Sequence, residues 1–288
     1  MCRTAVVPIA MTADTDEPTL TQFTDPMCTW CWGSEPVIRH LRVAYGDQVR
    51  VEYVMGGLVE DFDEFYDAAN DIGAPSEVAP HWAEAADHHG MPVDTVVFDE
   101  DPPQSTYPAS VAFAAARLQD RDLAHRYLRR VREAVATEGR NPNRRAVQTD
   151  IASDVGLDVD RLVDAIEDGT AREVFEADLQ RAQRAGVRAF PTYRITGPAG
   201  EREAAGFQSF DALAGHLEAV APDLERRETP PVEDFLAGYE PVATQEVAEV
   251  YDLTRGKATQ TLEALAESGQ ARAETRGTGR VWFAGGAA

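Results

Sequence analysis

An α/β layer interrupted by a long all-helical stretch, then a small winged helix-turn-helix-like unit, is the architecture this 288-residue sequence predicts. Three observations predict it. Strand patterns at 19–24 and 48–55 return only at 192–207. Between them, residues 60–186 carry helical periodicity and almost no strand pattern. Beyond Pro230-Pro231 the pattern changes again, to short helices followed by a glycine-centred hairpin.

Each element has its own signal. Residues 1–17 are expected as a disordered tail that includes Cys2. TLTQFT at 19–24 alternates as a strand and stops at Asp25-Pro26, a pair that favours turn geometry. Val37, Ile38, Leu41 and Val43 space a helix over 28–44, with a kink expected at Pro36. QVRVEYVM at 48–55 is the second strand, ended by Gly56-Gly57. Amphipathic helices are expected around 76–88, 107–119, 122–137, 144–155, 159–167 and 170–185, with N-caps at Ser105 or Thr106, Asp122 and Thr170. TYRIT at 192–196 enters a Gly197–Gly200 turn and a hairpin partner ending near Phe207. FDALAGHLEAV then closes the layer as a helix.

Composition bounds the function. With 43% hydrophobic residues the chain can bury a core, and no apolar run is long enough to cross a membrane. Fifty Asp and Glu against 27 Lys and Arg give a net charge of -23, which opposes nucleic-acid and acidic-membrane partners. Lys257 is the only lysine, and the acid is spread along the whole chain rather than blocked. That pattern suits a salt-adapted surface. The expected location is the cytoplasm.

FTDPMCTWCWGSEP, residues 23–36, carries the chemistry. A CxxC pair at a helix start, after a strand and Asp-Pro, places the first sulfur among free N–H groups that stabilise its thiolate. The second, one turn on, can resolve a mixed disulfide. Zinc would need further ligands, and the only other cysteine is Cys2. A buried inert thiol pair is the remaining alternative. Trp30 and Trp32 are candidates for an apolar substrate rim, and Asp25 for a helix cap or a proton shuttle.

This motif, with MGGL at 55–58, DPPQSTYPAS at 101–110 and GVRAFPTYRI at 186–195, resembles the DsbA-like branch of the thioredoxin superfamily, the FrnE-like dithiol-disulfide isomerases in particular. The resemblance covers residues 18–221. It implies a thioredoxin fold with a helical insertion, Cys28 as attacking thiolate, Cys31 as resolving thiol, and Pro191 after Phe190 as a cis-proline facing them. It implies no cofactor, and disulfide- or thiol-containing proteins or small thiols as partners. Strong oxidants of that family carry His between the cysteines, where this chain has Thr29 and Trp30. The direction of reaction therefore stays open. Family members of the glutathione-dependent isomerase type carry Ser at the first position, which Cys28 argues against.

After a linker at 222–231, residues 232–288 form the winged-helix-like unit. Residues 240–288 hold five basic and seven acidic side chains, far closer to balance than the rest. Arg255, Lys257, Arg272, Arg276 and Arg280 fall on its expected recognition helix and wing. If DNA is bound, Arg255, Lys257 and Arg276 are the expected phosphate contacts, although the whole chain's charge opposes such an approach. The sequence thus supports a thiol-disulfide oxidoreductase first, with a redox-responsive DNA-binding regulator and a binding adaptor as alternatives.

The acidic surface yields a first test. Self-repulsion among the carboxylates should relax as salt screens them, so the melting temperature should climb steadily as KCl is raised to molar concentration. A flat or falling melting temperature would overturn the salt-adapted reading.

Overall fold

The computed structural model describes residues 17–68 and 70–285. The expected tail, apart from Glu17, and Cys2 with it lie outside the described residues. The central sheet is built from β1 (Thr19–Thr24), β2 (Arg50–Met55), β3 (Thr192–Gly197) and β4 (Gly200–Ala205), in the order β2-β1-β3-β4. β1 runs parallel to β2 and antiparallel to β3, and β3 turns back into β4. The period of two divides β1 between two layers. Leu20, facing Val51 and Ile195 across the ladders, joins the main core, whereas Phe23 packs with Val54 and Ala182 on the other face.

The stretch expected as one kinked helix is two, α1 (Thr29–Gly33) and α2 (Glu35–Tyr45). The break falls at Ser34. Pro36 sits in the first turn of α2, where its missing N–H costs nothing. β2 begins at Arg50 because Gly46–Gln48 forms a single tight turn. The insertion is helical as expected: α3 (Val78–His89), α4 (Val97–Glu100), α5 (Tyr107–Arg117), α6 (Arg121–Thr137), α7 (Arg145–Val155), α8 (Val159–Glu167) and α9 (Thr170–Arg184). α5 lies at its centre. Its buried Ala109, Ala112, Ala114, Ala115 and Ala116 let α6, α8 and α9 approach closely.

Two expected caps differ. Asp120, not Asp122, caps α6 by accepting Leu123 N–H at 2.8 Å, and Gly169, not Thr170, precedes α9. Thr106 is the N-cap residue of α5 by position, but its hydroxyl is used elsewhere.

α10 (Phe210–Val220) closes the layer. The expected linker is tied down: Arg227 N–H donates to Ala44 O at 2.6 Å, and Gln48 exchanges two bonds with the Glu225 backbone. The remaining unit comprises α11 (Val232–Tyr239), β5 (Val242–Ala243), α12 (Thr244–Val250), α13 (Arg255–Glu267), β6 (Ala271–Arg276) and β7 (Gly279–Ala284), with strand order β5-β7-β6. Phe235, Leu236, Val247, Leu262 and Trp282 form its core, which Val43 of α2 enters.

This unit is locked to the body by buried charge. Glu246 of α12, fully buried, accepts Arg39 Nε at 2.8 Å and both terminal nitrogens of Arg129 at 2.8 and 3.0 Å. Arg129 also meets Glu35 and Glu133, and Arg132 pairs with Glu35. At the far end the hairpin tip rests on the body, Thr278 exchanging two bonds with Val93. Gly277 (φ 50°) is required there, since a Cβ would stand 2.2 Å from Val93 O.

Replacing Glu246 with Gln leaves two guanidinium groups buried without their shared carboxylate. The whole chain should lose about 3–5 kcal/mol, read as one cooperative transition at lower urea. An unchanged body transition with only the C-terminal unit released would mean that the network is not what joins them.

Candidate active site

β1 delivers the chain to Asp25-Pro26-Met27 and then to Cys28, which is the N-cap of α1 and accepts Cys31 N–H on its sulfur at 3.2 Å. The residue expected to cap the helix, Asp25, does something else. Its Oδ1 accepts Met27 N–H at 2.8 Å, and its Oδ2 accepts Leu58 N–H at 2.9 Å and the Thr106 hydroxyl at 2.7 Å. One buried carboxyl thus ties the cysteine turn to the segment after β2 and to the start of α5. Burial raises its pKa, and those three donors only partly offset the effect.

Opposite lies the 186–195 segment. The Phe190–Pro191 bond is cis, and the Cys28 thiol points at Phe190 O, 3.7 Å away. The Phe190 ring packs over Gly56, where a Cβ would stand 2.1 Å from the ring. The glycine of MGGL is therefore the floor for this ring.

The two tryptophans separate. Trp30 is half-buried, with its ring 5.4 Å from His88 and 6.1 Å from Phe207. It forms one edge of a groove of about 730 Å³ that runs past Cys28, Leu58, Phe62, Trp82 and Phe190. Trp32 is not a rim residue. It is 1% exposed, donates Nε1–H to Pro92 O at 2.9 Å, and carries the Arg129 guanidinium over its ring at 4.6 Å. His89 lies beneath α1, within 3.4 Å of the Thr29 hydroxyl and against Gly33, which has no room for a Cβ. Burial, with His88 and Arg255 nearby, lowers its pKa to about 4, so it is neutral.

Both sulfurs are buried, Cys28 at 5% exposure and Cys31 at none. The sequence placed Cys28 at a helix start, and the structure buries it there. Burial, then the hydrogen bond to Cys31 and its charge, push Cys28 well up. Burial also opposes ionisation of Cys31, but the bond from Cys28, the Arg132 charge and the Thr24 hydroxyl bring it below the ordinary thiol value. The five-residue α1 supplies fewer aligned peptide dipoles than a long helix would.

Sequence reasoning missed Thr24, Glu35, Thr106 and Arg132. Arg132 had a signal: it shares an i, i+4, i+7 face with Leu128 and Val135, an apolar stripe on which a lone arginine must be paired. The expected DNA contacts do not form a free set. Arg255 and Lys257 are exposed on the first turn of α13, but the Arg255 guanidinium stands near Gly90 of the body. Arg276 is held by Glu138 at 2.6 Å and Glu274 at 3.1 Å, so it is not available for phosphate as the sequence suggested. Among the described residues no cluster of three or more His, Cys, Asp or Glu side chains could hold a metal ion.

Gly56→Ala should cost about 1–3 kcal/mol by driving the Phe190 ring off its floor. Gly215→Ala, in α10 with nothing within 4 Å of the new Cβ, should stabilise by about 0.5–1 kcal/mol. Thermal melts of the two variants give opposite signs if Gly56 has this role; a neutral Gly56→Ala would remove it.

A thioredoxin family model matches residues 22–213 of the chain. The ClpXP adapter protein SpxH of Halalkalibacterium halodurans is 29% identical over 247 residues, covering 84% of this chain and 81% of that protein. Among solved structures, the cytosolic disulfide reductase DsbM of Pseudomonas aeruginosa is similar with a TM-score of 0.54 and 23% identity, over 70% of this chain and 93% of that one. A probable DsbA oxidoreductase from Streptomyces coelicolor gives a TM-score of 0.56 at 15% identity, over 74% of this chain and 92% of that one. With two thirds of its length matched by the family model and a DsbA-type arrangement of strands and helical insertion, the chain belongs to the thioredoxin family.

Proposed function

We propose that the protein is a dithiol thiol-disulfide oxidoreductase acting on cysteine-containing polypeptides. The observation that carries this is the Cys28 sulfur, set at a helix start 3.7 Å from the Phe190 carbonyl and opening on an apolar groove. Cys28 attacks a disulfide sulfur, one half of the substrate leaves as thiolate, and Cys31 then attacks Cys28 to release the other half. The groove's aromatic lining suits apolar side chains flanking the substrate cysteine. No residue between the cysteines is cationic, which favours reduction or isomerisation over strong oxidation. A reducing role would suit the cytoplasm, where thiols are kept reduced. Among the described residues no helix is long and apolar enough to cross a membrane.

A second reading is that of a protein-binding adaptor. It is supported by the match to SpxH, whose span is longer than the thioredoxin region and so must reach the C-terminal unit. A DNA-binding regulator has less support, because the hairpin tip and Arg276 are occupied by the body.

Cys28→Ser should abolish insulin-disulfide reduction, while Cys31→Ser should accumulate mixed disulfides that reductant releases. Wild-type protein inactive on insulin, with no disulfide-linked partner captured by Cys31→Ser, would leave the adaptor reading in its place.

A further inference from the structure

We infer that the cleft walled by α2, α6 and residues 237–241 binds a small organic anion, with Arg42 and the Tyr53 hydroxyl holding its carboxylate or phosphate group. This goes beyond the oxidoreductase reading and does not rest on it.

Arg42 is the anomaly that points there. The chain has 50 acidic residues against 27 basic ones, so a cation withdrawn from water has carboxylates to choose from. Among the described residues, every other arginine is either exposed or ion-paired with a carboxylate. Arg42 is half-buried and has no such partner. Its place in the last turn of α2 suits a positive charge but uses none of its N–H groups. Nη2 alone is engaged, donating to Tyr53 OH at 3.3 Å and meeting His125 Nδ1 at 3.4 Å. Nε and Nη1 have no partner among the described residues. Water can supply acceptors to those groups but no counter-charge.

Two neighbours complete the set of donors. Tyr53 of β2 is 5% exposed, and its oxygen already accepts from Arg42, so its own proton is uncommitted. Burial raises its pKa and keeps that proton in place. The His125 ring stands edge-on to the Tyr53 ring, 4.9 Å away. A guanidinium can only donate, so Nδ1 of His125 is the acceptor and the proton of the neutral ring lies on Nε2. Burial, then the charges of Arg42 and Arg121, lower the pKa of His125 to about 3, so it adds a donor and no second charge. A guanidinium fork, a phenol proton and an imidazole N–H gathered around one charge suit an oxyanion.

The other charges of the cleft do not cancel this one. Arg39, Arg129 and Arg130 on its walls are already paired with carboxylates, Glu35 and Glu133 among them. That leaves Arg126, Asp154 and Glu240, all three exposed, with Glu240 accepting Ala284 N–H at 2.8 Å. Charges in contact with water are screened by salt, whereas Arg42 acts from a half-buried position where its field is stronger. The cleft measures about 640 Å³, within the range of small-molecule sites and larger than a lone inorganic ion needs. Its walls come from α2, β2, α6 and the end of α7 on one side and from Ala237–Pro241 on the other. A ligand there touches both the body and the C-terminal unit.

The test is titration calorimetry on the full-length protein in low-chloride buffer, with citrate and glycerol phosphate as probes and thermal melts beside it. One probe or both should bind at a single site and raise the melting temperature as its concentration rises. The stronger of the two tells whether a carboxylate or a phosphate is held. Arg42→Met removes a charge that has no counter-charge, so the ligand-free melting temperature should hardly move while binding weakens about tenfold or more. Tyr53→Phe keeps the ring and the guanidinium and should weaken binding about fivefold; it decides the matter if Arg42→Met does not fold. Arg161→Gln, at an exposed and unpaired arginine on α8, should bind like wild type. Wild-type protein that takes up neither probe at millimolar concentration would overturn the inference. So would binding that Arg42→Met and Arg161→Gln weaken equally, since that is the response of a charged surface without a site.

Discussion

Three carboxylates and three guanidinium groups buried between α2, α6 and α12 hold this structure in its one arrangement. Apolar burial is non-directional and would let those helices slide or rotate on one another. Charges withdrawn from water tolerate no such freedom, because each is costly unless its partner stands at hydrogen-bond distance. Glu246 meets both Arg39 and Arg129, Arg129 meets Glu35 and Glu133, and Glu35 meets Arg132. The register of the helical insertion, the helix after the cysteines and the C-terminal unit is therefore a single constraint. The unit beyond residue 231 is consequently fixed against the body.

The same network borders the chemistry. Glu35 follows Cys31 by four residues, and the break at Ser34 turns α2 so that its first carboxylate faces α6. The dithiol is thus flanked on one side by an ionised cluster that resists change and on the other by the groove. Asp25 performs the complementary task, joining three segments through three donors.

Much of this was legible in the sequence, and the remainder was not for physical reasons. The strands, the hairpin after Pro191 and the closing helix at 210–220 follow from periodicity and turn chemistry, which are local. The CxxC context marked the site because its neighbours in sequence are its neighbours in space. Trp30 and Trp32 were indistinguishable, since burial of the second is decided by Pro92 and Arg129, remote in the chain. The caps at Asp120 and Gly169 differ from the expected residues by one or two positions, the scale on which competing cap residues exchange roles. Arg132 was missed for the same kind of reason: helix polarity is a local cue, whereas this guanidinium reaches Thr24 from more than a hundred residues away. The docked hairpin tip was invisible because an exposed-looking Gly-Thr-Gly turn gives no sign of the surface it meets.

The lone lysine has a consequence of another kind. All the buried cations are arginines, whose guanidinium stays protonated where an ammonium would give up its proton, so the body carries no side-chain amine at all. Lys257, exposed on the first turn of α13, is the one such amine in the chain. Acylating dyes, biotin esters and amine-directed cross-linkers, apart from the α-amino group, must therefore attach to the C-terminal unit and leave the dithiol face unmodified. The protein can be tethered to a surface or tagged through a single defined point, with the groove beside Cys28 still free of label.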